Sequence, residues 1–320
     1  MGWILLPPLY FTNHDLIQNQ KSGLAMHFDK EILGYKKKES RIAIFSLLPI
    51  FLYHFILVVL PSFNSFFNSF TDWNGLISKK FIGIKNYLEL FKDPNFYEAF
   101  ANNIRWLSIF LTIPIILSIL IGFFLAKTQK GQVALRACYF LPYVISAAIA
   151  GKIFAAFYNP YFGINSLFEQ MGLGFLAKDW LAPSHALFSV ASVDMWHWWG
   201  FLLVVFLSAM QQIDPMLYES AEVEGASEMQ KLWYITIPGI KKTLLFVILA
   251  SMVWSISTFD YVWVMTKGSS GSSLLSTMLY KNAFFKYRAG YACAISVVQT
   301  FIAIVIFGGF ALFQKKFGDE

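Results

Sequence analysis

Charge is scarce in this chain. Of its 320 residues, 14% are Asp, Glu, Lys or Arg and 57% are hydrophobic. Soluble domains carry nearer a quarter charged residues, so an ordinary soluble domain is excluded. Cysteine is rarer still. Cys138 and Cys293 fall in or beside apolar runs, with no metal-ligand spacing. They read as small buried residues rather than a metal site, and sequence alone argues no disulfide. No GxxxxGK[ST] loop is present, so any nucleotide is bound elsewhere. No nucleophile–base or metal pair stands out in the apolar runs, which leaves an intramembrane enzyme without its chemistry. No basic segment precedes the short apolar stretch from Trp3 to Phe11, so a cleavable signal peptide is not expected.

What the chain has is apolar length. Several runs exceed the roughly 20 residues needed to cross a bilayer. Six spans are expected at 42–62, 100–126, 136–158, 184–210, 239–264 and 291–313. They make an all-α membrane protein: a tail over 1–41, one bundle over 42–314 and a short end over 315–320. The formal net charge of +6 raises a nucleic-acid reading, but no basic surface segment interleaved with aromatics supports it. The Lys/Arg bias instead sets topology. Basic residues concentrate in the tail (Lys21, Lys30, Lys36, Lys37, Lys38, Arg41), beside the third span (Lys127, Lys130, Arg136), around 231–242 and at Lys315 and Lys316. Both termini and the 214–238 segment are therefore expected in the cytoplasm. The opposite loops are turn-rich, and Lys267 to Ser273 reads as flexible.

A charged, helix-forming island, Asp214 to Pro238, interrupts the apolar runs. Asp214-Pro215 is an N-cap with proline at the first helical position, predicting a helix to Glu222. Gly225 breaks it. Ser227 with Gln230 forms a capping-box pattern opening a second helix, which Pro238 should end by pushing Ile237 from helical angles. Met229, Leu232, Trp233 and Ile237 lie on this second helix at helical spacing.

This island resembles the EAA loop of ATP-binding-cassette (ABC) importer permeases. The triplet reads Glu219-Ser220-Ala221, the acidic-Gly-Ala element Glu224-Gly225-Ala226, and the close Ile235-Thr236-Ile237-Pro238. Phe81 to Tyr87, Arg136 to Pro142, Phe157 to Asn165, Phe259 to Gly268 and Gly290 to Ala294 resemble segments of the carbohydrate-uptake permeases, relatives of the maltose and glycerol-3-phosphate transporter subunits of the first permease type. The resemblance covers about 42–314 and departs at Lys267 to Ser273, where the family's Gly-Gly-Gly-Pro is lost. It implies a six-helix permease bundle in a bacterial inner membrane, with a cytoplasmic helix-turn-helix. The partners implied are a second permease, two ATPase subunits holding ATP and Mg, and an extracytoplasmic solute-binding protein. No catalytic residue, cofactor or metal ligand belongs to this chain. Glu219, Ala221, Glu224, Gly225, Ala226, Trp233 and Pro238 would meet the ATPase. The implied cargo is an oligosaccharide or related carbohydrate, with acidic sugars among the candidates. Other readings stay open: an importer of a non-sugar solute, or a self-sufficient secondary transporter or channel, which predicts discontinuous helices near the midplane.

Ionisable groups at membrane depth mark pathways or structural pairs. Asn103, Lys152, Asp194, Trp199, Asp260 and Trp263 are the pathway candidates, with Arg105 beside them. Trp and carboxylate side chains suit a solute with apolar ring faces and hydroxyls. Two structural readings compete: Asp194 in an interhelical hydrogen bond, and a buried Lys152–Asp194 salt bridge.

Overall fold

A computed structural model describes residues 45–77, 79–127 and 131–317. The expected tail over 1–41 lies outside the described residues, as do 318–320 at the other end. The chain divides into two units, residues 1–64 and 65–320. The described part of the first is helical: α1 (Phe45–Asn68) runs out of it, with a π turn at Phe55–Val59.

The second unit holds the remaining elements. They are α2 (Lys85–Leu90), α3 (Pro94–Ala126), α4 (Gln132–Val144), α5 (Ala147–Phe157), α6 (Ile164–Gln170), α7 (Ala186–Met210), α8 (Pro215–Val223) and α9 (Glu228–Lys231). After α9 come a π turn (Leu232–Thr236) and a last turn (Ile237–Gly239), then α10 (Lys241–Ser257), α11 (Asp260–Thr266), α12 (Leu275–Tyr280) and α13 (Ala289–Phe317). Five described helices are long and apolar enough to span, and six result if α4 and α5 count as one broken span.

The core lies between α3 and α7. Trp106, Phe110, Ile115, Ile119 and Phe123 meet Val190, Trp198, Leu202, Phe206 and Met210. The spacing, mostly four residues, builds one stripe on each helix. Apolar side chains alone do not drive association in lipid; close packing and interhelical hydrogen bonds do. Both occur here. Ser118 donates to the Trp199 carbonyl at 3.0 Å. Gly200 lets α4 approach so closely that a Cβ would run into the Tyr139 carbonyl oxygen.

Cys138 is exposed and Cys293 half-buried, where both were expected to be buried, and three larger expectations need correction. The third span is not a straight helix over 136–158: α4 and α5 meet at 91°. Ile145 is extended (φ −75°, ψ 136°), and Ser146 caps α5 through the Ile149 N–H at 3.4 Å. The break frees backbone groups, which must find partners inside protein. The His197 ring takes one, with Nε2 2.8 Å from the Ile145 carbonyl oxygen. Second, Lys267 to Ser273 is an ordered turn. Lys267, Gly268, Ser270 and Gly271 all have positive φ. Buried Asn102 donates to the Gly271 and Ser273 carbonyls at 2.8 and 3.0 Å, and Ser272 bonds Thr266 at 2.6 Å. Serine and glycine content did not reveal the asparagine, 169 residues away. Third, Pro238 does not end the second helix of the island. Ile237 keeps helical angles (φ −61°, ψ −46°) and the turn runs on to Gly239. The π turn just before takes the Ile237 N–H to the Leu232 carbonyl, shifting the ladder where proline would otherwise clash.

Candidate coupling and pathway sites

The 214–238 island forms the expected helix, turn and helix. Asp214 accepts the Met216 N–H at 2.9 Å, and α8 ends at Val223 rather than Glu222. Gly225 turns the chain at φ +78°, where a side chain would be strained. Ser227 and Gln230 complete the capping box. Glu219, Glu224, Gly225, Trp233 and Pro238 are exposed, and Ala221 and Ala226 are half-buried. The apolar stripe splits: Leu232 is buried, while Met229 and Trp233 face outward.

Sequence reasoning missed the interactions holding the two helices together. Lys231 is 3% exposed and donates to Glu222 at 2.6 Å and Glu228 at 3.1 Å. Glu228 also pairs with Lys127, just past the end of α3. Tyr218 bonds the fully buried Thr236 at 2.9 Å. The hydrogen bond and charge of Lys231 hold the Glu222 carboxyl below its ordinary value. The Glu228–Lys231 spacing of three was a legible helical pair. Glu222–Lys231 crosses the turn and had no periodicity to betray it. Phe123, Lys127, Met210, Tyr218, Glu219 and Glu222 help line a cavity of about 560 Å³ against the ends of α3 and α7.

The pathway candidates do not converge on one site. Asp194 is fully buried, and both carboxylate oxygens accept the Trp254 indole N–H, at 3.1 and 3.2 Å. Trp254 also stacks on Trp198, with ring centroids 4.9 Å apart. Lys152 is exposed and not among the partners of Asp194. The interhelical hydrogen bond is therefore formed, and the Lys152–Asp194 salt bridge is not. Asn103 is buried; it accepts the Leu275 N–H at 2.9 Å and reaches the Ser255 carbonyl at 3.5 Å. Asp260 is exposed at the start of α11. Trp263 packs edge-on against Tyr280 at 4.6 Å and stacks on Phe259 at 5.6 Å. Trp199 differs from these. With Ile113, Pro114, Leu117, Ser192 and Trp196 it lines a cavity of about 220 Å³ between α3 and α7. Its indole N–H is buried without a partner.

Residues 105–318 match the family described as "Binding-protein-dependent transport system inner membrane component". The chain belongs to this family. It is 34% identical over 273 residues to the "Probable ABC transporter permease protein YurN" of Bacillus subtilis, covering 82% of this chain and 91% of that one. It is 28% identical over 264 residues to the "Multiple sugar-binding transport system permease protein MsmF" of Streptococcus mutans, covering 81% and 89%. Its fold is similar to a chain of a solved bacterial ABC transporter involved in importing the acidic polysaccharide alginate. The TM-score is 0.79 at 23% identity, over 89% of this chain and 99% of that one. This protein is thus a permease subunit of an ABC importer, and the broken third span does not make it a secondary transporter.

Proposed function

We propose that this permease forms half of a translocation pathway for an oligosaccharide or related carbohydrate, and that its 214–238 loop couples the pathway to ATP hydrolysis on partner subunits. One observation carries the coupling: a capped helix–turn–helix presents Glu219, Glu224, Gly225 and Trp233 outward at one end of the bundle. Such a surface suits docking in a cleft, where the acidic residues set register with basic partners. ATPase closure would then move the bundle between two states. ATP and Mg sit on the ATPase subunits, and a second permease supplies the other half of the pathway. A solute-binding protein delivers cargo from outside. The loop and both termini face the cytoplasm, in a bacterial inner membrane.

The carbohydrate reading is supported by the name of the Streptococcus relative and by the Trp199 cavity. An indole ring covers the apolar face of a sugar ring, and the Trp199 ring borders this cavity. Exposed Lys152 favours an acidic sugar among the possible cargoes. The test is reconstitution with the cognate ATPase, second permease and binding protein in proteoliposomes. ATP-dependent uptake of a labelled oligosaccharide is expected; comparing neutral with uronate oligosaccharides tests the acidic preference. Uptake in the absence of the ATPase would overturn the proposal.

A further inference from the structure

The 214–238 loop is tied together by ions as well as capped. Lys231 is a cation with 3% of its side chain exposed, in a segment whose other charges face outward. Burying an unpaired ammonium is costly, and its partners here are two carboxylates from opposite sides of the Gly225 turn. Glu222 lies on α8 and Glu228 opens α9. Lys231 therefore fixes the angle between the two helices, while Gly225, alone at positive φ in this turn, supplies the bend. Glu228 is shared with Lys127, 101 residues away and just past α3, one of the two central helices of the core. The chain of ions runs Glu222, Lys231, Glu228, Lys127. Lys127 also lies over the Phe123 ring, 4.5 Å from its centroid, so its ammonium is anchored to the last turn of α3 and is not a free surface charge.

We propose that this relay is the mechanical joint between the coupling loop and the core: Lys231 makes the two loop helices one lever, and the Lys127–Glu228 pair passes its displacement to α3. This rests on the coupling role given to the loop above. Lys231 and Lys127 are positioning residues, since neither is the surface that docks on the ATPase. Their loss leaves the exposed Glu219, Glu224 and Trp233 in place. It makes the lever compliant, so ATP is hydrolysed without moving the bundle. A purely structural joint would lower the amount of folded complex and leave transport per ATP unchanged.

The reconstituted four-component importer tests this by measuring uptake and ATP hydrolysis in the same proteoliposomes. Lys231→Met keeps the bulk of the stem and removes the charge. Transport per ATP is expected to fall about tenfold, inside the ordinary range of coupling between sites. Lys127→Met, in which no buried charge is left unpaired, is expected to lower the same ratio several-fold with assembly intact. Lys231→Arg is expected to recover most of it, because the guanidinium can still bridge both carboxylates. If Lys231→Met assembles poorly, Lys127→Met alone carries the test. An unchanged ratio in Lys127→Met, with the wild type tightly coupled, overturns the joint and leaves the loop's role standing. A wild type that transports without the ATPase overturns the role itself.

Discussion

At the scale of single residues, burial and partner separate roles that composition left mixed. Asp194 and Trp199 lie on the same helix, five residues apart, yet the structure treats them differently. The Asp194 carboxylate is occupied by Trp254, whereas the Trp199 indole N–H has no partner and its ring borders a cavity. Trp254→Phe removes the donor and strands the carboxyl, at a cost of about 1–3 kcal/mol. The purified complex should melt earlier, by a thermal size-exclusion assay, while the protein that remains folded still transports. Trp199→Ala should behave in the opposite sense, with near-normal melting and transport reduced about tenfold or more, as befits a residue contributing a contact to the solute. A variant that merely falls apart would return Trp199 to the packing of α3 on α7. Gly200, next in sequence, has no such latitude. Its missing Cβ is what lets the Tyr139 backbone approach, so Gly200→Ala should cost about 1–3 kcal/mol by overpacking, measurable in the same melting assay.

At the scale of elements, helix ends were legible where a local cap announced them. Asp214-Pro215 and Ser227 with Gln230 each start a helix in the structure, because the capping oxygen and the amides it serves lie within three residues; Asp93-Pro94 starts one too, six residues before the expected span at 100. Interruptions inside apolar runs were not legible. The 91° break after Val144 has a local cap in Ser146, but its Ile145 carbonyl is served by His197, 52 residues further on, and no local pattern encodes that distance. His197→Phe should leave the Ile145 carbonyl without this partner and cost about 1–3 kcal/mol; a melting midpoint equal to wild type would show that the break supports itself. The coupling loop has a pH sign of its own. Lys231 holds the Glu222 carboxyl below its ordinary 4.5. A lowered carboxylate contributes stability that is complete above its ordinary value and disappears as the pH falls through the lowered one. The part of transport per ATP that the Glu222–Lys231 pair carries should therefore be unaffected by pH above 4.5 and fall in acid below it. Glu222→Gln should remove that acid limb.

At the scale of the whole molecule, the span count was legible because apolar length is a property of one stretch at a time; which polar groups meet was not, because it depends on how the stretches pack. Asn102 with the 267–273 turn and Lys127 with Glu228 are pairs of the second kind. Orientation is a whole-molecule property too, since it follows from the sum of Lys and Arg on each side. Gln230 on α9 and Ser270 in the turn after α11 are both exposed and lie beyond opposite ends of the Lys241–Thr266 span. Its helical residues, the 17 of α10 and the 7 of α11, rise about 36 Å in all, against a hydrocarbon core of roughly 30 Å. The two positions are then expected to open to different compartments. The native thiols are removed first, Cys138→Ser because it is exposed and Cys293→Ala because it is half-buried. Single cysteines follow at Gln230, Ser270, Ser22 and Asp319, labelled with an impermeant maleimide in intact and in permeabilised cells. Ser270→Cys should react in intact cells, and the other three only after permeabilisation. The reverse pattern would overturn the charge-derived orientation while keeping the span. Labelling of Gln230→Cys and Ser270→Cys from the same side would remove the span, and with it the separation of the 214–238 loop from the 267–273 turn.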